Sequence, residues 1–248
     1  MIGAIAGDII GSVYEHRPIK TKDFPFLNPK CRFTDDSVLT IAVALAILEQ
    51  RPYQETIREL GRRYPDAGHG GTFIAWLFSE RPRPYNSWGN GSAMRVSPIA
   101  FALDTETQVL DEARHSAEIT HNHPEGIKGA QAVARVILMA RQGQNKESIR
   151  ADLTERFRYN LNRALDAVRT NYRFDISSQG TFQKRSLLFS TPTHTTMRSE
   201  TQFLWAGTAI LLPCLHHWRH RRGLLWWHSI GDRGVYTWQA DSRLKGCA

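Results

Sequence analysis

Thr34-Asp35-Asp36-Ser37 sets two adjacent carboxylates behind a hydroxyl, where the aromatic turn Cys31-Arg32-Phe33 gives way to an apolar run. Hard cations take oxygen donors of this kind. The same residues also read as an ordinary helix start, with Thr34 as the N-cap and two acidic residues favoured by the macrodipole. The run from Val38 to Leu48 is apolar nearly all round, so it predicts a buried helix whose first turn is held rigidly. A second acidic feature lies near the N-terminus, where Ile2 to Tyr14 forms a glycine-rich aliphatic helix carrying Asp8 and ending at Glu15. A buried carboxylate needs a hydrogen-bonding partner or a cation, so Asp8 is expected to anchor structure or stand behind a metal ligand. Glu15 follows two helical turns later, on the same face and at the open end of the helix.

Three glycine-rich turns follow: Tyr64-Pro65-Asp66-Ala67-Gly68-His69-Gly70-Gly71, Ser87-Trp88-Gly89-Asn90-Gly91-Ser92-Ala93-Met94-Arg95, and Thr120-His121-Asn122-His123-Pro124-Glu125-Gly126. Each precedes a helix-like segment and can present backbone N–H groups to an anion or phosphate. Gly89-Asn90-Gly91-Ser92 adds Asn and Ser side chains, as a sugar or pyrophosphate cradle needs, but it also reads as a glycine turn with a Ser N-cap. His121 and His123 have no Cys or third His at zinc-ligand spacing, and Pro124 predicts a turn after His123. His121, at the end of a helix expected over Thr107 to Thr120, is placed either to bond a ligand or to cap that helix.

Other segments supply the scaffold. Helices are expected over Pro52 to Arg63, Thr72 to Phe78, Gly126 to Ala140, Lys146 to Phe157 and Asn160 to Thr170, and no strand is predicted. Inward residues on them include Ile57, Leu60, Phe73, Trp76, Ala130, Val133, Ala134, Ile137 and Leu138. Phe174-Asp175-Ile176 is expected to pack across the bundle from the loop that follows.

The order of these motifs resembles the ADP-ribosylglycohydrolase family: Gly-Ala-Ile-Ala-Gly-Asp with a following Glu, then Thr-Asp-Asp-Ser, then Tyr-Pro-x-Ala-Gly-x-Gly, then Gly-Asn-Gly-Ser-Ala-Met-Arg, then Thr-His-x-His-Pro. The resemblance runs continuously from residue 1 to about residue 180. It implies an all-α fold, a single compact multi-helix domain, around two Mg2+ or Mn2+ ions. By the resemblance Thr34, Asp35 and Asp36 are metal ligands and Glu15 lies on the metal and water side. The proton-handling role falls to Glu15 or to a metal-bound aspartate such as Asp36. Gly89, Asn90, Gly91, Ser92 and His121 line the ADP-ribose pocket. Asp8 anchors the helix, and Arg95 is open between a site role and an internal salt bridge. The implied function is metal-dependent hydrolysis of the glycosidic bond of an ADP-ribosylated protein or a small ADP-riboside. A catalytically silent ADP-ribose binder, or a decayed relative, is the alternative.

The chain departs from the family pattern near its end, where Gly-Gly-Asp-Ser-Asp-Thr should complete the metal cage, yet no Asp occurs between Asp175 and Asp232. Composition changes at the same place. Residues 181–248 carry nine Lys and Arg against three Asp and Glu, six of the net charge of +8, and five of seven Trp. Read one nucleotide earlier, the codons for Thr181 to Pro213 permit Val-Pro-Glu-Ala-Ile-Ile-Ala-Phe-Leu and then Gly-Gly-Asp-Ser-Asp-Thr-Leu-Ala. The expected organisation is therefore a helical domain over residues 1–180 and an anomalous tail over 181–248 that looks frameshifted.

Length suits one large domain. Three cysteines point away from a disulfide framework and toward a reducing cytoplasm. The N-terminal segment lacks the basic region of a signal peptide, and no apolar run reaches membrane-spanning length. The expectation is a cytoplasmic monomer with no membrane or nucleic-acid partner, the basic tail notwithstanding.

Overall fold

The computed structural model describes residues 2–15, 28–161 and 176–181, all inside the compact unit Met1–Leu212; the second unit, Pro213–Ala248, lies outside the described residues. So do the greater part of the helix expected over Asn160 to Thr170, Phe174, Asp175, and the tail from residue 182. The described residues include nine helices, α1 (Ile2–Gly11), α2 (Asp35–Leu48), α3 (Tyr53–Arg63), α4 (Gly71–Phe78), α5 (Gly91–Met94), α6 (Ser97–Ala102), α7 (Glu106–Glu118), α8 (Pro124–Arg141) and α9 (Lys146–Phe157), and residues 178–181 are helical as well. No strand occurs among them, only an isolated antiparallel bridge between Gly89 and Ser177. The expected all-α class holds.

Two helices organise the rest. α2 packs against α1, α3, α5 and α6, whereas α8 packs against α5, α6, α7 and α9. Small residues let α8 serve so many neighbours, since Gly126, Gly129, Ala130, Ala132 and Ala134 are all buried. A Cβ added at Gly126 would stand 2.7 Å from the Ser87 carbonyl oxygen and 3.0 Å from the His121 carbonyl oxygen. Backbone cannot yield as a flexible side chain would, so glycine is required there. The core residues Ile57, Leu60, Phe73, Trp76, Val133, Ile137 and Leu138 are buried as their periodicity predicts.

Several boundaries differ from the sequence expectation, each for a local reason. α1 stops at Gly11, and a turn with Tyr14 N–H donating to the Gly11 carbonyl carries the chain to Glu15. Glu15 is thus delivered by a turn rather than by a continuous helical face. Pro124 does not turn the chain away but begins α8, where its missing N–H costs no hydrogen bond, and His123 caps the helix by accepting from the Glu125 N–H. α2 is not buried all round, because Ile41 and Leu48 are exposed. Ile176 also leaves its side chain exposed, although its carbonyl packs inward by accepting from the Asn90 N–H at 2.9 Å.

Gly126→Ala should lower unfolding stability by about 1–3 kcal/mol through overpacking against backbone. Urea denaturation monitored by circular dichroism checks this.

Candidate functional site

The first turn of α2 is tied to α1 by one buried carboxylate. Asp8 Oδ2 accepts from the Thr34 N–H at 2.7 Å, the Ser37 N–H at 3.2 Å and the Ser37 hydroxyl at 2.6 Å, while Oδ1 accepts from the Thr34 hydroxyl at 2.5 Å. Thr34 is the N-cap, taking the Asp36 N–H on Oγ1 at 3.3 Å and the Val38 N–H on its carbonyl at 3.2 Å. The Asp35 N–H donates to the Ala67 carbonyl at 2.8 Å. Every amide of the first turn therefore has a partner, so this helix start offers no spare donors to an anion. Its side chains are what it presents.

Those side chains are crowded with like charge. Burial raises the Asp35 carboxyl to about 7, with Glu15 and Asp8 adding to the rise and the Asp35 and Asp36 N–H groups opposing it. Glu15, Asp35 and Asp36 are each half-buried. The loop after α3 closes over the same place. Gly68, at φ +102°, lies where an added Cβ would be 3.7 Å from Asp35 Oδ1, a conformation that suits glycine. His69 follows with a buried side chain, its Nε2 3.1 Å from the Tyr64 carbonyl and its Nδ1 3.8 Å from Asp35 Oδ2. Burial lowers the His69 pKa.

The second group of predicted residues surrounds the loop before α5. Gly89 N–H donates to the Ser87 hydroxyl at 3.2 Å and Asn90 N–H to the Ile176 carbonyl, so two of the four amides once read as anion donors are used inside the protein. Ser178 clamps the loop from outside, its N–H donating to the Trp88 carbonyl at 3.0 Å and its hydroxyl to the Gly89 carbonyl at 2.7 Å. Asn90 occupies the N-cap of α5 without a side-chain cap, and its amide donates to Thr181 Oγ1 at 3.4 Å. Ser92 is no N-cap: fully buried, it donates its hydroxyl to the Gly126 carbonyl at 2.8 Å.

His121 faces this loop, with Thr120 and Arg95 behind it. Arg95 Nη2 donates to the Ser116 carbonyl at 2.6 Å and to Thr120 Oγ1 at 3.0 Å. Arginine can only donate, so Thr120 Oγ1 accepts there and keeps its own hydrogen available for His121 Nδ1, 2.7 Å away. With Thr120 as the donor to Nδ1, the proton of the neutral ring sits on Nε2. That nitrogen points at the loop, 3.0 Å from where a Cβ at Gly91 would be and 3.7 Å from one at Gly89. Burial, reinforced by the charge of Arg95, lowers the His121 pKa to about 3, so the ring stays a neutral donor. Arg95 itself is fully buried; among the described residues no carboxylate lies against it and Nε and Nη1 have no partner, so the salt-bridge reading of this residue finds no support there. Burial lowers its pKa to about 10.

The structure thus gathers Asp8, Glu15, Thr34, Asp35 and Asp36 with the loop of Gly68 and His69. It gathers Gly89, Asn90, Gly91, Ser92 and His121 separately, with Tyr85, Ser178 and Gly126. α2 links the two groups, its Thr40 hydroxyl donating to the Met94 carbonyl at 3.4 Å. Sequence reasoning missed His69, Thr120 and Ser178 as parts of these clusters. His69 was visible only as one position in a glycine-rich turn.

As metal donors, the Thr34 hydroxyl and the Asp35 and Asp36 carboxylates fit a hard divalent cation in kind, and the crowding that raises Asp35 is what a cation relieves. They are a partial set. Among the described residues no group of three or more His, Cys, Asp and Glu side chains stands close enough to hold a metal ion.

Residues 1–216 match the family model described as ADP-ribosylglycohydrolase. The chain belongs to the ADP-ribosylglycohydrolase family. It is similar to the ADP-ribosylhydrolase ARH3 of Xenopus tropicalis, 28% identical over 176 residues that make up 58% of this chain and 50% of that protein. The human protein of the same name is 26% identical over 182 residues, again 58% of this chain and 50% of the relative. The chain spans about half the length of these curated relatives. A solved structure titled "ADP-ribosylglycohydrolase-related protein complex" superposes with a TM-score of 0.62 at 20% identity, covering 87% of this chain and 82% of that one. That likeness shows the family's helical fold.

Two predictions follow from the relay onto His121. Nitrogen-15 NMR should show a neutral, Nε2-protonated His121 down to about pH 4, and Thr120→Val should remove that tautomer preference. Since the folded pKa lies below the unfolded value of about 6.5, the unfolded chain takes the proton first; stability is full above that value and falls as pH drops toward the folded pKa. Between about pH 7 and pH 5, His121→Asn should therefore lose less stability than the parent chain on acidification, measured by denaturant melts at each pH.

Proposed function

We propose that the chain hydrolyses the glycosidic bond of an ADP-ribosylated protein or small ADP-riboside, as a cytoplasmic monomer dependent on Mg2+ or Mn2+. The observation that carries this reading is the first turn of α2, locked by Asp8 so that Asp35, with Thr34 and Asp36 next to it in the chain, lies in the same acidic corner as Glu15. Thr34, Asp35 and Asp36 are the residues that would hold the cation from this side.

A bound divalent cation supplies Lewis acidity toward ribose hydroxyls and a water of lowered pKa. The chain's own residues do the rest. Asp8 fixes the turn, so the carboxylates need no reorganisation as charge develops at the anomeric carbon. Glu15 or Asp36 takes the proton of the attacking water and returns it to the leaving group, which departs with the bonding electron pair through an oxocarbenium-like state. His121 holds its proton at Nε2 as a donor to the ligand beside Gly91, and its low pKa keeps the ring from adding positive charge.

A second reading is a silent or decayed ADP-ribose binder. It is favoured by the lack of Asp between Asp175 and Asp232 and by the partial donor set among the described residues. Sequencing source DNA from the Asp175 codon to the stop separates the two. Single-base corrections that restore Gly-Gly-Asp-Ser-Asp-Thr would favour the enzyme, and an unchanged frame the binder.

The functional test is release of ADP-ribose from an ADP-ribosylated peptide with and without Mn2+. Release should require the cation and fall by roughly a hundredfold or more in Asp35→Ala. Unchanged turnover in that variant would sink the metal assignment, and ADP-ribose binding without release would establish the second reading.

A further inference from the structure

His69 carries an unusual loose end. Its side chain is 0% exposed and stacks obliquely on Phe73, with ring centroids 5.2 Å apart. Nε2 lies 3.1 Å from the Tyr64 carbonyl, and a carbonyl can only accept, so the ring proton sits on Nε2. Nδ1 therefore bears a lone pair. It has no hydrogen-bond partner, yet it is buried and aimed at Asp35 Oδ2, 3.8 Å away. When Asp35 is ionised and His69 neutral, two electron-rich atoms face each other beyond hydrogen-bonding range, which is unfavourable unless a proton is taken up or a cation lies between them.

The loop is built to hold this arrangement. Asp35 N–H donates to the Ala67 carbonyl at 2.8 Å, Ala67 N–H donates to the Tyr64 carbonyl at 3.2 Å, and His69 returns to that same carbonyl. Gly68 turns the chain at positive φ between them, leaving only 3.7 Å between the place of a Cβ and Asp35 Oδ1. The imidazole is thereby fixed by hydrogen bond and by ring packing, with its lone pair toward the carboxylate. Donors that share a first-row cation at about 2.0–2.2 Å stand roughly 3–4 Å from each other, and the observed separation falls in that range.

We propose that His69 Nδ1 is a nitrogen ligand, together with Asp35, for the divalent cation of the α2 site. This rests on the metal-dependent reading above and extends it to the identity of the ion. Imidazole suits borderline transition metals, whereas Mg2+ prefers oxygen donors and keeps its waters. A site with one imidazole among its oxygens thus selects Mn2+ over Mg2+.

The test is Mn2+ loading of the full chain, followed by pulsed electron paramagnetic resonance for nitrogen-14 hyperfine coupling and by calorimetry. Coupling is expected in the parent chain and is lost in His69→Gln and in His69→Phe, the latter keeping the ring contact with Phe73. Mn2+ affinity should fall about tenfold or more in both variants, with Mg2+ affinity changed by less than about twofold. Bound Mn2+ without nitrogen coupling, or coupling that survives both substitutions, would overturn the His69 assignment and leave the metal reading standing. Failure of the parent chain to bind Mn2+ would overturn both. If one variant does not fold, the other decides by the same two readings, and coupling confined to the parent chain still supports the assignment.

Discussion

The described structure depends on a single buried carboxylate. Asp8 receives four hydrogen bonds from Thr34 and Ser37, and through them a glycine-rich helix and an almost wholly apolar helix meet at a fixed angle and register. Each such bond to an ionised group is worth about 1.5–3 kcal/mol, and removing the acceptor would strand buried donors at comparable cost. Stability and chemistry are joined here. The bonds that hold α1 to α2 also leave Asp35 beside Glu15, where burial and like charge outweigh the Asp35 and Asp36 N–H groups that oppose them.

The second cluster solves the opposite problem, an excess of buried positive charge. Among the described residues Arg95 has no carboxylate partner and leaves two nitrogens unsatisfied, which is costly in an interior of low dielectric. Its remaining hydrogen bonds go to the end of α7, at the Ser116 carbonyl and Thr120, and from there to His121. The cost thus comes with an orientation: a histidine held neutral, with its donor toward Gly89 and Gly91. The acidic corner and this loop are linked through α2 and α5.

The helical class was legible because period and caps agree: Ile57 and Leu60 on α3, and Val133, Ile137 and Leu138 on α8, are buried where the 3.6-residue pattern puts them. Asp8 was legible as an anchor because no lone carboxylate belongs in a glycine-rich buried helix. Pro124 misled, since a proline reads alike as the end of one element and the first residue of the next. The distribution of amides in the Gly89 loop was not legible either, because Ile176 and Ser178 reach it from 86 to 90 residues along the chain, a separation no local pattern carries. His69 stayed hidden for the same reason, its meaning lying in a distance to Asp35.

The most direct test of the account is calorimetric titration of ADP-ribose into the folded full chain, with and without Mn2+. The account predicts saturable binding that tightens when Mn2+ is present, because ribose hydroxyls and the α2 carboxylates then share a cation. A folded chain that binds no ADP-ribose in either condition would contradict it.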